Sequence, residues 1–499
     1  MLNFEVVNLF LYYLRLNNFF AKIQINTQNH NIFQPMPELS EIRNLILKHL
    51  PFVPNEEQVA LIQGLAWFID QRSPQEVFVL NGYAGTGKTS IMGALVKSLA
   101  EIKRKVVVMA PTGRAAKVAA KLAFGQASTI HKRLFRGNSL DPANSAFFLA
   151  QNTETDTIFI VDEASLITDG STLNNSLLLQ LIRYVYSGSG CSLILVGDSA
   201  QLPPVGQEIS YAMNPDRLRQ IGLNPLFFTL EQPVRQASDS GILFNATIAR
   251  RFLFENYPID QFALYKNGFE DVRIIDPSEM LDELSSSWAR VGKDETIVIT
   301  RSNFRANMIN NTIRRYLLDA ESPLMAGERI VISKNDYYWS RINKLKNFLA
   351  NGEIAEVVRV GSKTKKYGRW FAETELQVPT TGETISAQIM LRSLVAEGPQ
   401  IPREEMERFY NRVLASTEGE LSIKIKAALE DPYYNALQVK YGYCVTCHKA
   451  QGGQWKHVYI DLGGLPPDFS QSDFFRWLYT AITRATERIY FINSPFPEE

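Results

Sequence analysis

The sequence predicts an α/β protein: two parallel-sheet units, with a small antiparallel barrel and a helical arm inserted into the second. Three observations lead there. Short continuous apolar runs at 77–80, 106–109, 158–161, 193–196 and 227–230 alternate with helix-length segments, the pattern of buried parallel strands. A second set lies at 297–299, 458–460 and 489–492, the last two separated by a helical stretch at 474–484. Between 299 and 458 the texture changes, with Asn351-Gly352, the run 355–360 and alternation over 376–390 around Thr381-Gly382, as antiparallel hairpins require.

Taken in order, residues 1–35 are expected to be a non-functional extension, with a misassigned start upstream of Met36 as one origin. The apolar run at 9–20 is a poor membrane or signal segment: Arg15, Asn17 and Asn18 interrupt it, and no basic region precedes it. The first α/β unit is expected over 36–262, with a small insertion at about 132–152. The second is expected over 263–332 and 436–499, and the inserted barrel with its helices, 402–414 and 422–429, over 333–435. At 499 residues the chain is long enough for about three domains of roughly 150 residues.

Composition narrows the chemistry. A hydrophobic fraction of 45% with 21% charged residues belongs to a globular chain rather than a disordered one. Lysine and arginine total 52, as do aspartate and glutamate, so a nucleic-acid grip must come from local basic surfaces. Three cysteines are too few for a disulfide framework and suit a reducing, cytoplasmic interior.

The strongest motif is Gly82-Tyr-Ala-Gly85-Thr86-Gly87-Lys88-Thr89, placed after an apolar strand and before an apolar helix. Glycines let backbone N–H groups turn toward phosphates, Lys88 reaches the β and γ phosphates, and Thr89 offers a hydroxyl to Mg²⁺. Asp162-Glu163 follows the strand at 158–161 and supplies a carboxylate for Mg²⁺ and a base for water. Such a pair alone is commonly a solvated turn; beside the P-loop it predicts nucleotide hydrolysis.

Other strings carry a family resemblance. Leu195-Val-Gly197-Asp198-Ser-Ala-Gln201-Leu-Pro-Pro204-Val205, Leu230-Glu-Gln-Pro-Val-Arg235-Gln236 and Ala481-Ile-Thr483-Arg484-Ala485 occur in that order. Together with the P-loop they resemble superfamily-one DNA helicases of the RecD and Dda type. The resemblance implies two RecA-like lobes, an SH3-like inserted barrel, 5′-to-3′ travel on single-stranded DNA, and Gln201 as γ-phosphate sensor. It also places Arg235 and Arg484 at the γ-phosphate, where an arginine finger is worth roughly 10³ to 10⁵ in rate. Ahead of the P-loop, Asn55-Glu-Glu57-Gln58 resembles the family's adenine-reading glutamine, since an amide can meet both edges of adenine.

For the nucleic-acid track, Ala110-Pro111-Thr112-Gly113-Arg114 and Ser128-Thr129-Ile130-His131-Lys132 resemble the family's first DNA-contacting motifs. Pro111, Thr112, Thr129 and His131 are the candidates, joined by Thr446 and His448 of Tyr443-Cys-Val-Thr446-Cys-His448-Lys449-Ala-Gln451-Gly452. From Lys103 to Arg136 there are nine basic residues and no acidic ones, which offsets the neutral total. Tyr337, Tyr338 and Trp339 in the basic stretch 334–369 suit base stacking or a local core about equally. Phe135, Phe147 and Phe148 are candidates for a strand-splitting wedge, with a local core again the plainer reading. Cys444-x-x-Cys447-His448 matches haem attachment, but neither export nor a haem fold is indicated, and a zinc site lacks ligands.

The expected protein is a monomeric ATP- and Mg²⁺-dependent helicase acting on single strands and duplex junctions, with single-strand-binding or replication and repair proteins as partners and no stable membrane association. Two rivals stay open at this point. One is a translocase that displaces proteins without separating strands; the other is a nucleotide-switched DNA-binding module.

Overall fold

The computed structural model describes residues 41–71, 74–122, 127–136, 148–170, 176–234, 240–255, 257–345, 348–379, 382–464 and 470–499. Residues 1–35, Phe147 and Arg235, all singled out above, lie outside them.

The first unit is a six-stranded parallel sheet. In chain order its strands are β1 (Glu76–Gly82), β2 (Val106–Ala110), β3 (Ala127–Thr129), β6 (Ile158–Val161), β7 (Ser192–Gly197) and β8 (Asn224–Leu230). The spatial order is β3-β2-β6-β7-β1-β8. Helices cover both faces, so β6 and β7 are buried at every position, which is why they read as unbroken apolar runs. The helix Lys88–Glu101 carries apolar residues on nearly all sides because it lies within this packing, with Ile91, Leu95 and Leu99 fully buried. Between β3 and β6, β4 (Phe135–Arg136) pairs antiparallel with β5 (Phe148–Leu149). The Phe135 ring packs on the core around Leu134 and Leu178, so the local-core reading holds for it.

The second unit is a five-stranded parallel sheet of β9 (Val272–Ile275), β10 (Thr296–Thr300), β16 (Cys444–Thr446), β17 (Trp455–Asp461) and β18 (Ala485–Ile492), ordered β16-β10-β17-β18-β9. The helices Gly241–Phe254 and Gln471–Ile482 pack together on one face, joining Ile242, Ala246 and Leu253 to Phe475, Leu478 and Ile482 in one core. The first unit therefore ends earlier than 262: the helix from Gly241 belongs to the second core, and its Ser240–Gly241 start is held by the Asp271 carboxylate. A solvated amphipathic helix between two strands carries no mark of which sheet it covers.

The insertion is a five-stranded antiparallel sheet of β11 (Arg329–Ile332), β12 (Ile354–Lys366), β13 (Arg369–Val378), β14 (Glu383–Met390) and β15 (Val439–Tyr441), ordered β14-β13-β12-β11-β15. Its two ends are drawn together by an Ile389–Leu437 bridge. β13 alternates buried and exposed positions because one face is solvated. The helices Arg403–Ala415 and Leu421–Glu430 fold back rather than project as a free arm. Phe409 and Val413, each 1% exposed, pack with Phe371 and Ala428, and burying a phenylalanine of this kind contributes about 1.5–3 kcal/mol. Trp339 is likewise buried, its Nε1 donating to the Asn435 carbonyl, whereas Tyr337 is exposed. No helix among the described residues is long and apolar enough to cross a membrane.

Candidate nucleotide and nucleic-acid site

β1 ends at the P-loop, and the loop works because two of its residues take positive φ: Gly85 at 75° and Gly87 at 84°. Thr86, 1% exposed, closes the turn by donating its hydroxyl to the Tyr83 carbonyl at 2.8 Å. Lys88 folds back onto the loop, its Nζ on the Gly82 and Tyr83 carbonyls and 4.0 Å from an Asp198 carboxylate oxygen. A side chain at Gly82 would meet the Lys88 stem at 2.5 Å, so this glycine is required by close approach.

Gln58 is buried behind the loop. Its Oε1 accepts from the Asn55 amide at 2.9 Å, and its Nε2 donates to the Thr86 carbonyl at 3.0 Å. The amide thus braces the P-loop, while each end keeps one further bonding position. Next to it, the Glu57 carboxylate accepts from the Glu231 and Gln232 amides at 3.0 Å each, and the Val234 amide donates to the Gly85 carbonyl at 2.9 Å. The segment leading to Arg235 is therefore pinned to the P-loop.

Asp162 and Glu163 stand at the end of β6, with Glu163 in the left-handed region at φ 53°. Burial, and then the neighbouring Glu163 charge, push the Asp162 carboxyl up to about 7. A carboxyl with so high a proton affinity is one whose ionised form a divalent cation would stabilise, and the exposed Thr89 supplies a hard hydroxyl. The donor set fits Mg²⁺. After β7, Gln201 is 7% exposed and its Oε1 is buried without a donor, the kind of acceptor a reacting water would satisfy.

Arg484 does not reach this loop. It is 4% exposed and donates to the Thr480 and Gly453 carbonyls and to Thr483 Oγ1, all within the second unit. Two arginines of the second unit do cross: Arg250, which lies over the Tyr83 ring at 4.1 Å, and Arg476, whose Nη1 donates to the Ser199 carbonyl at 2.5 Å. From the same helix Tyr479 reaches Ala84 and Asp198, and Thr480 accepts from the Leu202 amide at 2.8 Å. Positions 476, 479 and 480 share one helical face, the signal that was available in the sequence and overlooked.

The nucleic-acid candidates lie at strand ends. β2 and β3 are paired with Ala110 beside Thr129, so Pro111, Thr112, Thr129 and His131 follow two adjacent strands. Thr112 and Thr129 cap the helices that follow, accepting from the Ala115 and Lys132 amides at 3.2 Å each, while His131 is exposed. Thr446 ends β16, and His448 is exposed just beyond it. The two units touch here: a side chain at Gly452 would meet Ala115 at 3.0 Å and Thr112 at 3.3 Å, and Arg114 lies over the Trp455 ring at 4.7 Å. Cys444 and Cys447 are buried thiols, their pKa pushed up by burial.

Beside Thr446 the sequence reading missed a pocket lined by Asn303, Asn307, Lys440, Thr446 and Lys449. Lys440 Nζ and Asn307 Nδ2 both donate to the Ala396 carbonyl. Burial pushes both lysines down to about 8, and the Lys449 charge adds to the effect on Lys440. Asn310, 2% exposed, fixes the pocket wall by bonding the Cys444 amide and carbonyl at 2.9 and 2.8 Å.

Comparison with known proteins places these features. The AAA-domain family model matches residues 54–237, and that of the UvrD-like helicase C-terminal domain matches 441–492. The chain is 22% identical to an uncharacterized protein of Acanthamoeba polyphaga mimivirus, covering 88% of this chain and 99% of that one. It is 24% identical to the ATP-dependent RecD2 DNA helicase of Deinococcus radiodurans over 89% of its length, and spans 50% of that protein. A solved Pif1 helicase from Bacteroides, in complex with ADP-AlF3 and single-stranded DNA, aligns with a TM-score of 0.46 at 17% identity, over 89% of this chain and 93% of that one. The P-loop and carboxylate pair lie inside the first match and the Thr446 and Arg484 strings inside the second, so the chain is similar to the RecD-type superfamily-one helicases in both units.

Proposed function

We propose that the chain is an ATP-driven motor that moves 5′-to-3′ on single-stranded DNA and separates duplex ahead of it. The observation that carries the reading is the meeting of two lobes at one P-loop: Ala84, Ser199 and Leu202 are bonded from across the cleft by Tyr479, Arg476, Thr480 and Gln451. A hydrolysis site built from both lobes converts chemistry into relative movement.

In this reading the two units are RecA-like lobes, and the inserted sheet is an SH3-like barrel that holds the strand from one side. Lys88 leaves the loop carbonyls to hold the β and γ phosphates, and Gln58 uses its remaining bonding positions on adenine. Thr89 and Asp162 would hold Mg²⁺, which when bound neutralises charge on the phosphate oxygens. Glu163 takes a proton from the attacking water, and Gln201 Oε1 accepts that water's other hydrogen. Arg235 and Arg484 are the γ-phosphate partners of the closed lobes, which for Arg484 means giving up its bonds to Thr480 and Gly453. Pro111, Thr112, Thr129, His131, Thr446 and His448 line the DNA track. Three buried or reduced thiols fit a cytoplasmic location, and a monomer that meets single-strand-binding or repair proteins is the simplest working form.

Strand displacement on duplexes carrying 5′ or 3′ tails tests the reading. ATP should release strands from 5′-tailed substrates alone; Lys88→Ala should abolish turnover, and Glu163→Gln should bind ATP and DNA without cycling. Translocation without strand release would favour the protein-displacing alternative, and absence of any DNA-stimulated phosphate release would overturn hydrolysis.

A further inference from the structure

Tyr479 has no part in the chemistry described so far, yet it sits at the junction of the two lobes. It is 1% exposed. Its hydroxyl accepts from the Ala84 amide at 2.8 Å and donates to Asp198 Oδ2 at 2.7 Å. A phenol carries one hydrogen to give and lone pairs to receive, so both bonds are made at once. Burial, and then the Asp198 charge, raise its pKa well above the ordinary value, so the hydroxyl keeps that hydrogen.

Both partners matter beyond this contact. Ala84 is a P-loop residue two positions before Thr86. Asp198 receives the Ala200 amide on Oδ1 at 3.0 Å and lies 4.0 Å from Lys88 Nζ through Oδ2. The loop that Asp198 opens runs through Gln201 to Leu202, whose carbonyl accepts from Gln451 Nε2 at 2.7 Å. Gln451 closes the short helix Cys447–Ala450 that follows Thr446, and its neighbour Gly452 rests on Thr112. A path of one close backbone approach and several hydrogen bonds therefore runs from the nucleic-acid candidates, through Gln451 and the Asp198–Leu202 loop, to Tyr479 and the P-loop.

We propose that Tyr479 is a positioning residue whose hydroxyl couples nucleotide binding to single-strand binding, by holding the Ala84 amide and the Asp198 carboxylate in one register. The inference rests on the helicase reading above and adds a route to it. Phenylalanine at 479 fills the same space but leaves the half-buried Ala84 N–H and a buried Asp198 carboxylate oxygen without this partner. The lobes then still pack, and the two sites lose their common link.

The test is a linkage measurement. Affinity for a fluorescent oligothymidylate is determined with and without a non-hydrolysable ATP analogue, and the ratio is the coupling. In Tyr479→Phe the ratio should move at least fivefold toward one, while a Thr480→Val control, which breaks a neighbouring cross-lobe bond, keeps more of it. Asp198→Asn retains an oxygen acceptor for the phenol and should lie between Tyr479→Phe and the natural protein. In the double variant the effects should not add, because one link is broken twice. An unchanged ratio in Tyr479→Phe, or additive effects of the two substitutions, overturns the proposal. If Tyr479→Phe fails to fold, an undiminished ratio in Asp198→Asn with lowered phenol contact, read from the Tyr479 ring proton shifts, overturns it instead. Failure of the parent reading is separate: the natural protein would then show neither coupling nor DNA-stimulated phosphate release.

Discussion

Replacing Lys440 by methionine isolates the pocket beside Thr446. Methionine keeps the unbranched stem and removes the charge, so any change in DNA binding reports electrostatics rather than packing. Lys440 and Lys449 line one pocket, and the prediction is that together they hold one backbone phosphate of the strand. One lost contact to a single strand lowers the salt slope of binding by about 0.7, which over a fourfold rise in salt is a difference of about 2.6-fold in affinity. The assay is fluorescence anisotropy with labelled oligothymidylate at several salt concentrations. The pH dependence has a defined sign. Both lysines sit at about 8 against an ordinary 10.5, so both are charged at pH 7 and lose protons as pH rises to 9.5. Affinity should fall over that window, and Lys440→Met should flatten the fall. Folding runs the other way: a depressed lysine makes the fold more stable as pH climbs from about 8 to 10.5, so the variant should melt no lower than the natural protein at pH 7. A salt slope identical to that of the natural protein would refute a phosphate seat at Lys440.

The Asp162 carboxyl at about 7 predicts that Mg²⁺ with nucleotide displaces a proton below that pH, with the apparent metal affinity falling about tenfold per pH unit; calorimetry in buffers of different ionisation enthalpy measures the proton, and Asp162→Asn should remove it. Without metal, this raised carboxyl favours the fold most below about pH 4 and loses that contribution as pH rises through 7, a trend that thermal melts should show and Asp162→Asn should flatten. Gly85→Ala should cost about 1–3 kcal/mol and weaken ATP binding, because its φ is +75° and the new carbon would lie 3.0 Å from both Leu243 methyls. Gly222→Ala, at φ +87° with nothing within 4 Å, should carry only the local strain and keep turnover, as melting curves and nucleotide titration of the pair will show.

The parallel strands were legible because burial on both faces leaves a sequence no choice but continuous apolar runs, as at 158–161 and 193–196. β3 was not, since three half-buried residues, Ala127–Thr129, carry no pattern. The P-loop, the carboxylate pair and Gln201 were legible because each motif is contiguous. The lysine pocket was not: Asn303, Lys440 and Lys449 are individually ordinary and meet only when β10 pairs with β16 and β11 with β15. Arg484 marks the opposite case, where the string is recognisable but the carbonyls its side chain bonds, those of Thr480 and Gly453 in its own unit, lie outside it. The helix from Gly241 was assigned to the wrong unit for a similar reason, its apolar face fitting either sheet.

The insertion leaves and re-enters the second lobe through neighbouring strands, β11 and β15, paired from Ile330–Tyr441 to Ile332–Val439. Arg329 roots that stem by donating to the Lys293 and Thr296 carbonyls, so the inserted sheet is fixed to its own lobe like a bracket. Its far end, by contrast, merely rests on the other: Lys117 donates to the Pro379 carbonyl at 3.3 Å, and a side chain at Gly113 would meet Ala350 at 3.1 Å. A bracket bolted at one end and leaning at the other swings as a unit, so any rotation between the lobes is magnified at its tip, and the gap between residues 117 and 379 is the natural gauge of that angle.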